Sequence, residues 1–121
     1  MSHRPVRRLL MDMCERIERI ERHASGFGRE AFLADEKTAD SVVRNLEVIG
    51  EAASRLPDAF RRSRPEVPWG RIVGLRNRVV HAYFDVDLEL VWEIVHAELP
   101  SLKVTISTIL QAQVEDESDC P

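Results

Sequence analysis

Apolar positions recur along the chain at spacings of three and four, the pattern of helices that bury one stripe. Leu10, Met13, Ile17 and Ile20 make the first stripe, with Glu and Arg between them, and Ser25-Gly26 ends it. A short helical piece is expected around Glu30 to Leu33. A longer helix follows, with Ala39, Val42, Val43, Leu46, Ile49, Ala53 and Leu56 on one face until Pro57 stops it. Pro57, Pro65 and Pro68 then surround Ala59-Phe60, which predicts a connector with one helical turn. A third helix is expected from near Trp69 to about Tyr83. Asp87 supplies the next N-cap, with Glu89 in the first turn. The last helix carries Leu88, Trp92, Val95, Leu99, Leu102, Ile106 and Ile109, a seam that passes through Pro100 and predicts a kink there. The expected fold is all-α: an up-and-down bundle of four to five helices with a kinked C-terminal helix over residues 1–112. An acidic, disordered tail is expected over 113–121.

A chain of 121 residues supports one domain with one core. No apolar stretch approaches the roughly 20 residues of a membrane span. Arg4, Arg7 and Arg8 are followed by Glu15 and Glu18 before any apolar region can form, which argues against a signal peptide. Cys14 and Cys120 fit neither a disulfide framework nor a zinc spacing, so a reducing, cytoplasmic location is expected. The net charge of −4 hides an asymmetry. Seven arginines between Arg55 and Arg78 face only Asp58 and Glu66, whereas Asp85 to Glu98 holds five acids and no Lys or Arg. The basic zone is either a solvated surface or a place for phosphate.

Candidate chemistry lies on the third helix. On an ideal wheel Arg76 falls in the middle of the stripe formed by Trp69, Ile72, Val73, Val79, Val80 and Tyr83, while Arg78 points to the opposite, solvent side. A guanidinium on such a stripe is either paired with a carboxylate such as Glu47 or Glu51, or held at a wet interface. His81 lies about 140° round and about 7.5 Å along the axis from Arg76, and Asn77 shares its face. Arg can hold a phosphate, His can move a proton near neutral pH, and Tyr offers a hydroxyl. The Arg–His separation is wide for one cleft, and two copies related by a twofold axis would concentrate the groups. None of the glycines opens a phosphate loop, and His3, His23, His81 and His96 lack a metal-ligand spacing, so no metal or cofactor is expected.

The run Arg76-Asn77-Arg78-Val79-Val80-His81-Ala82-Tyr83 resembles the R-x4-H-x-Y motif of HepT-like proteins of the HEPN superfamily. The flanking blocks are similar too: Asn45 to Ala53 upstream, Pro68-Trp69 with Ile72-Val73-Gly74-Leu75 before the motif, and Phe84-Asp85-Val86-Asp87 after it. Together they cover roughly Leu10 to Leu110. The resemblance implies a homodimer, or a higher even oligomer, with both motifs at a shared cleft. It implies metal-independent endoribonuclease activity, with Arg76 and His81 as the catalytic pair and Asn77 as a supporting polar residue. It also implies the toxin half of a type VII toxin–antitoxin pair, in which a minimal nucleotidyltransferase antitoxin silences the enzyme by AMPylation of Tyr83. The alternative is a non-catalytic binding or adaptor subunit beside a nucleotidyltransferase.

Overall fold

The first two apolar stripes become the two longest helices of the N-terminal half, α1 (Val6–Ala24) and α3 (Glu36–Ser54), which pack along one another. Leu10, Met13, Ile17 and Ile20 of α1 and Val42, Leu46 and Ile49 of α3 are wholly buried. Each such side chain contributes about 1.5–3 kcal/mol through burial. The computed structural model describes residues 5–82 and 85–119. Gly26, with φ +81°, turns the chain out of α1 in the left-handed region that favours glycine. The short α2 (Arg29–Ala34) inserts Phe32 into the core, and Asp35 caps α3 by accepting the Thr38 amide at 2.9 Å. Beyond Pro57 the expected single turn is α4 (Asp58–Arg62).

The third helix departs from expectation. It is two one-turn pieces, α5 (Trp69–Val73) and α6 (Leu75–Val79), separated at Gly74. Val80 then leaves helical geometry at φ −108°, ψ 109°, and the chain forms β1 (Val80–Ala82), antiparallel to β2 (Asp85–Val86). The cause is local and tertiary together. Gly74 is a poor helix interior, and Val79-Val80 is a β-branched pair that fits a pleated ribbon. The Asp87 amide also donates to the Val79 carbonyl at 2.7 Å and closes the ribbon. Gly50 of α3 lets α5 approach closely, since a Cβ there would lie 3.0 Å from the Ile72 carbonyl oxygen and 3.2 Å from that of Val73.

Asp87 caps α7 (Leu88–Glu93) as expected, accepting the Leu90 amide at 3.0 Å. The helix then widens into a π turn (Ile94–Glu98) and continues as α8 (Leu99–Asp119). Pro100 has no N–H to offer the preceding turn, and the wide turn sits directly before it. The buried positions are Val91, Ile94, Val95, Leu99, Leu102, Ile106 and Ile109, whereas Leu88 and Trp92 of the expected seam are only partly buried. The α8 backbone runs on through the stretch expected as a tail as far as Asp119, while Cys120 and Pro121 lie outside the described residues. The result is an all-α bundle in which α1, α3 and the α7–α8 rod frame the core, with the small ribbon at one side. No helix of the described residues is long and apolar enough to cross a membrane.

Candidate active site

Leu75 and Val79, spaced i and i+4, are the buried anchors of α6. Within that single turn they define the inward face. Arg76 and Arg78 then flank it roughly 80° to either side, and Asn77 points directly outward. Arg76 is not in the middle of an apolar stripe: its side chain is 62% exposed, and its Nε lies 3.6 Å from Glu47 Oε1 on α3. Arg78 is not on the solvent side. It is 20% exposed and donates twice to Glu98 of the π turn, from Nη1 at 2.9 Å and Nη2 at 2.7 Å. Glu98 also accepts from Arg71 Nη2 at 3.2 Å, so one carboxylate ties α5 and α6 to the C-terminal rod. Arg78, and after it Arg71, hold the Glu98 carboxyl below the usual carboxylate value.

His81 sits where the ribbon is irregular. Val80 pairs with Val86 and Ala82 with Asp85, so three residues of β1 oppose two of β2 and His81 is the extra one. Such a bulge re-aims a side chain away from the regular pleat. The imidazole remains exposed, and its Nε2 lies 3.4 Å from Asp87 Oδ2. Asp87 thus has two tasks: Oδ1 caps α7 and Oδ2 faces His81. The Leu90 amide, and after it His81, hold the Asp87 carboxyl below its ordinary value.

Of the residues singled out from sequence, Arg76, Asn77 and His81 all come to the surface where α6 passes into β1. Among the described residues no hydrogen bond or ion pair joins Arg76 to His81. Tyr83 lies outside the described residues. The second task of Asp87 went unread, because its capping signal accounts for the residue completely. The Glu98 bridge also went unread, as it spans 20 residues to Arg78 and 27 to Arg71. The basic zone is largely neutralised: Arg55, Arg61, Arg71, Arg76 and Arg78 each have a carboxylate within 4.0 Å, leaving Arg62 and Arg64 without an ion pair among the described residues. Among the described residues no group of three or more His, Cys, Asp or Glu side chains is arranged to hold a metal.

The family model described as "Ribonuclease HepT-like" matches residues 13–109. The chain is 44% identical over 94 residues to a protein of Thermococcus cleftensis named "Probable ribonuclease HepT", covering 78% of this chain and 86% of that one. It is 36% identical to a protein of Methanocaldococcus jannaschii named as an RNase, over 98% of both chains. It is 37% identical to another so named from Caldanaerobacter subterraneus, over 91% of this chain and 96% of that one. No solved structure matches the chain. The matched span runs from within α1 to within α8 and contains the whole α6–β1 site, and the chain belongs to the HepT-like ribonuclease family.

Proposed function

We propose that this protein is a metal-independent endoribonuclease whose catalytic pair is Arg76 and His81. The observation that carries the reading is the α6–β1 junction. There an exposed guanidinium and an exposed imidazole backed by a carboxylate stand on one short segment, within a chain whose relatives are named as ribonucleases. His81 takes the proton of a ribose 2′-hydroxyl, and the 2′-oxygen forms a bond to the adjacent phosphorus. The bond from phosphorus to the 5′-oxygen breaks, and that oxygen takes a proton from water and leaves as a hydroxyl, with a 2′,3′-cyclic phosphate left behind and the His81 proton returned to solvent. General base catalysis of this kind is worth about 10² to 10⁴ in rate. Arg76 pairs with the phosphate oxygens as negative charge builds on them, and Asn77 beside it supplies a further polar contact. Because the nucleophile is the 2′-hydroxyl, DNA is not cut.

The exposure of Arg76 supports this role over a purely structural one. A single contact of 3.6 Å to an exposed glutamate contributes little to folding, so the guanidinium is free to exchange Glu47 for a phosphate. We further propose that two copies form a homodimer, or a higher even assembly, in which each supplies an Arg76–His81 segment to a shared cleft. The protein then acts in the cytoplasm as the toxin of a type VII pair, and a nucleotidyltransferase antitoxin attaches AMP to Tyr83. An AMP group two residues from His81 would bring a phosphate that competes for Arg76. Comparing RNA cleavage by wild type and His81→Ala tests the activity: a binding or adaptor subunit would bind without cleaving in either form. Co-expression with the antitoxin tests the silencing. The peptide containing Tyr83 gains AMP, and Tyr83→Phe stays unmodified and toxic; a neutralised Tyr83→Phe without an adduct would refute the control point.

A further inference from the structure

His81 meets a single partner among the described residues, the Asp87 carboxylate, and it meets it through Nε2. That carboxylate is not free to swing. Its Oδ1 is engaged by the Leu90 amide at 3.0 Å, its own amide donates to the Val79 carbonyl at 2.7 Å, and its carbonyl accepts from Val91 at 3.0 Å. Two backbone hydrogen bonds and one from the Leu90 amide to the carboxylate therefore fix Asp87 to the start of α7 and to the end of α6, while the imidazole of the bulged His81 faces it. An ionised carboxylate can only accept. A neutral imidazole that hydrogen-bonds this carboxylate does so with its proton on Nε2, which leaves Nδ1 as the unprotonated nitrogen. Among the described residues Nδ1 has no hydrogen-bond partner, and the His81 side chain is 52% exposed.

We infer that Asp87 is the positioning residue of the site: it holds His81 in the Nε2–H tautomer and aims Nδ1 as the atom that takes the proton from RNA. What Nδ1 does there rests on the ribonuclease reading; the pairing itself does not. A carboxylate behind the imidazole also stabilises the imidazolium formed once the proton has moved. The separation of 3.4 Å is at the long end for a hydrogen bond, as is common before substrate tightens a site.

Two substitutions separate this role from capping, since Asn and Ser both cap helices about as well as Asp. In Asp87→Asn the side-chain oxygen keeps the Leu90 amide and the amide NH2 turns to His81. It donates to Nε2 and forces the proton onto Nδ1. In Asp87→Ser the hydroxyl caps α7 and does not reach the ring. The decisive measurement is the ¹⁵N spectrum of the histidines well above their titration range, with His81 assigned by its loss in His81→Ala. The expected result is Nε2–H in wild type, Nδ1–H in Asp87→Asn and a mixture in Asp87→Ser. The kcat for RNA cleavage should fall with unchanged KM and unchanged urea midpoint, by about 10- to 100-fold in Asp87→Ser, where the base is only partly mispositioned, and by about 10² to 10⁴ in Asp87→Asn, the range of a lost general base. An Nδ1–H tautomer in wild type, or an Asp87→Asn protein with both tautomer and kcat unchanged, overturns the assignment. A wild type that cuts no RNA sinks the ribonuclease reading instead, and the spectra still decide the pairing.

Discussion

Arg76 and Arg78 stand two residues apart on one helical turn, yet their surroundings predict opposite consequences when each is cut to alanine. Arg78 is 20% exposed and makes two charge-assisted bonds of 2.9 and 2.7 Å to Glu98, which is itself 33% exposed. Bonds of this type contribute about 1.5–3 kcal/mol when sheltered, and partial solvent screening reduces that to about 1–2 kcal/mol for the pair. Arg71 is 61% exposed and still contacts Glu98 at 3.2 Å, so the stranded carboxylate keeps one partner and the loss stays within that range. Arg76 is 62% exposed, with one contact at 3.6 Å to a Glu47 that is 40% exposed, and its removal should cost under about 0.5 kcal/mol. In urea denaturation followed by circular dichroism, Arg78→Ala should lower the midpoint at unchanged slope, and Arg76→Ala should leave it in place. RNA cleavage under fully folding conditions should reverse the ranking, with Arg78→Ala active and Arg76→Ala dead. A cycle with Glu98→Gln should recover a coupling of about 1 kcal/mol for Arg78 and none for Arg76. An Arg76→Ala protein less stable than Arg78→Ala would refute the reading of α6 as a turn anchored by Leu75 and Val79.

Gly50→Ala should destabilise by about 1–3 kcal/mol, because the added methyl meets backbone oxygens of α5 that cannot rotate aside, whereas Gly70→Ala, within α5, has open space and should be neutral or slightly stabilising; chemical denaturation of the pair checks this. Glu98 titrates below its ordinary 4.5 in the folded state, so its contribution to stability is complete above that pH and is lost as pH falls through the lowered value. Stability curves from pH 6 to pH 3 should therefore be shallower in Glu98→Gln than in wild type, and identical curves would remove the bridge. Light scattering at micromolar concentration should give at least two chains per particle, and a clean monomer would contradict the shared cleft.

The long helices were legible because Leu10, Met13, Ile17 and Ile20, or Val42, Leu46 and Ile49, repeat at helical spacing with polar residues between, and every one of them is buried. The cap at Asp87 was legible for a similar reason, since it is a local signal. The break at Gly74 and the end at Val80 were not: Trp69, Ile72, Val73, Val79 and Val80 keep a helical period that outweighs the local signals of Gly74 and Val79-Val80, and the hydrogen bond from Asp87 to Val79 with the ribbon it closes decides the outcome. A helix extended over that break puts Arg76 inward and Arg78 outward, whereas Leu75 and Val79 set both to the flanks of α6 and the Glu98 bridge draws Arg78 in. The seam from Val95 through Leu99 to Ile109 is buried as its spacing predicts, Leu88 and Trp92 only partly, and the chain meets the missing N–H of Pro100 with a π turn before the proline. The motif residues themselves were visible as types in a spacing. What positions them, Asp87 behind His81 and Glu98 behind Arg78, comes from contacts between elements that no local pattern encodes.

The cleavage proposed for Arg76 and His81 is metal-free attack of a 2′-hydroxyl on the adjacent phosphate. It is tested most directly by incubating a defined RNA oligonucleotide with purified protein in excess EDTA and weighing the fragments by mass spectrometry. Wild type should yield one fragment ending in a 2′,3′-cyclic phosphate and another beginning with a 5′-hydroxyl. A single 2′-deoxy substitution at the cut position should prevent cleavage there, and Arg76→Ala and His81→Ala should leave the oligonucleotide intact. Cleavage that EDTA abolishes and magnesium restores, or fragments with 5′-phosphate ends, would contradict it.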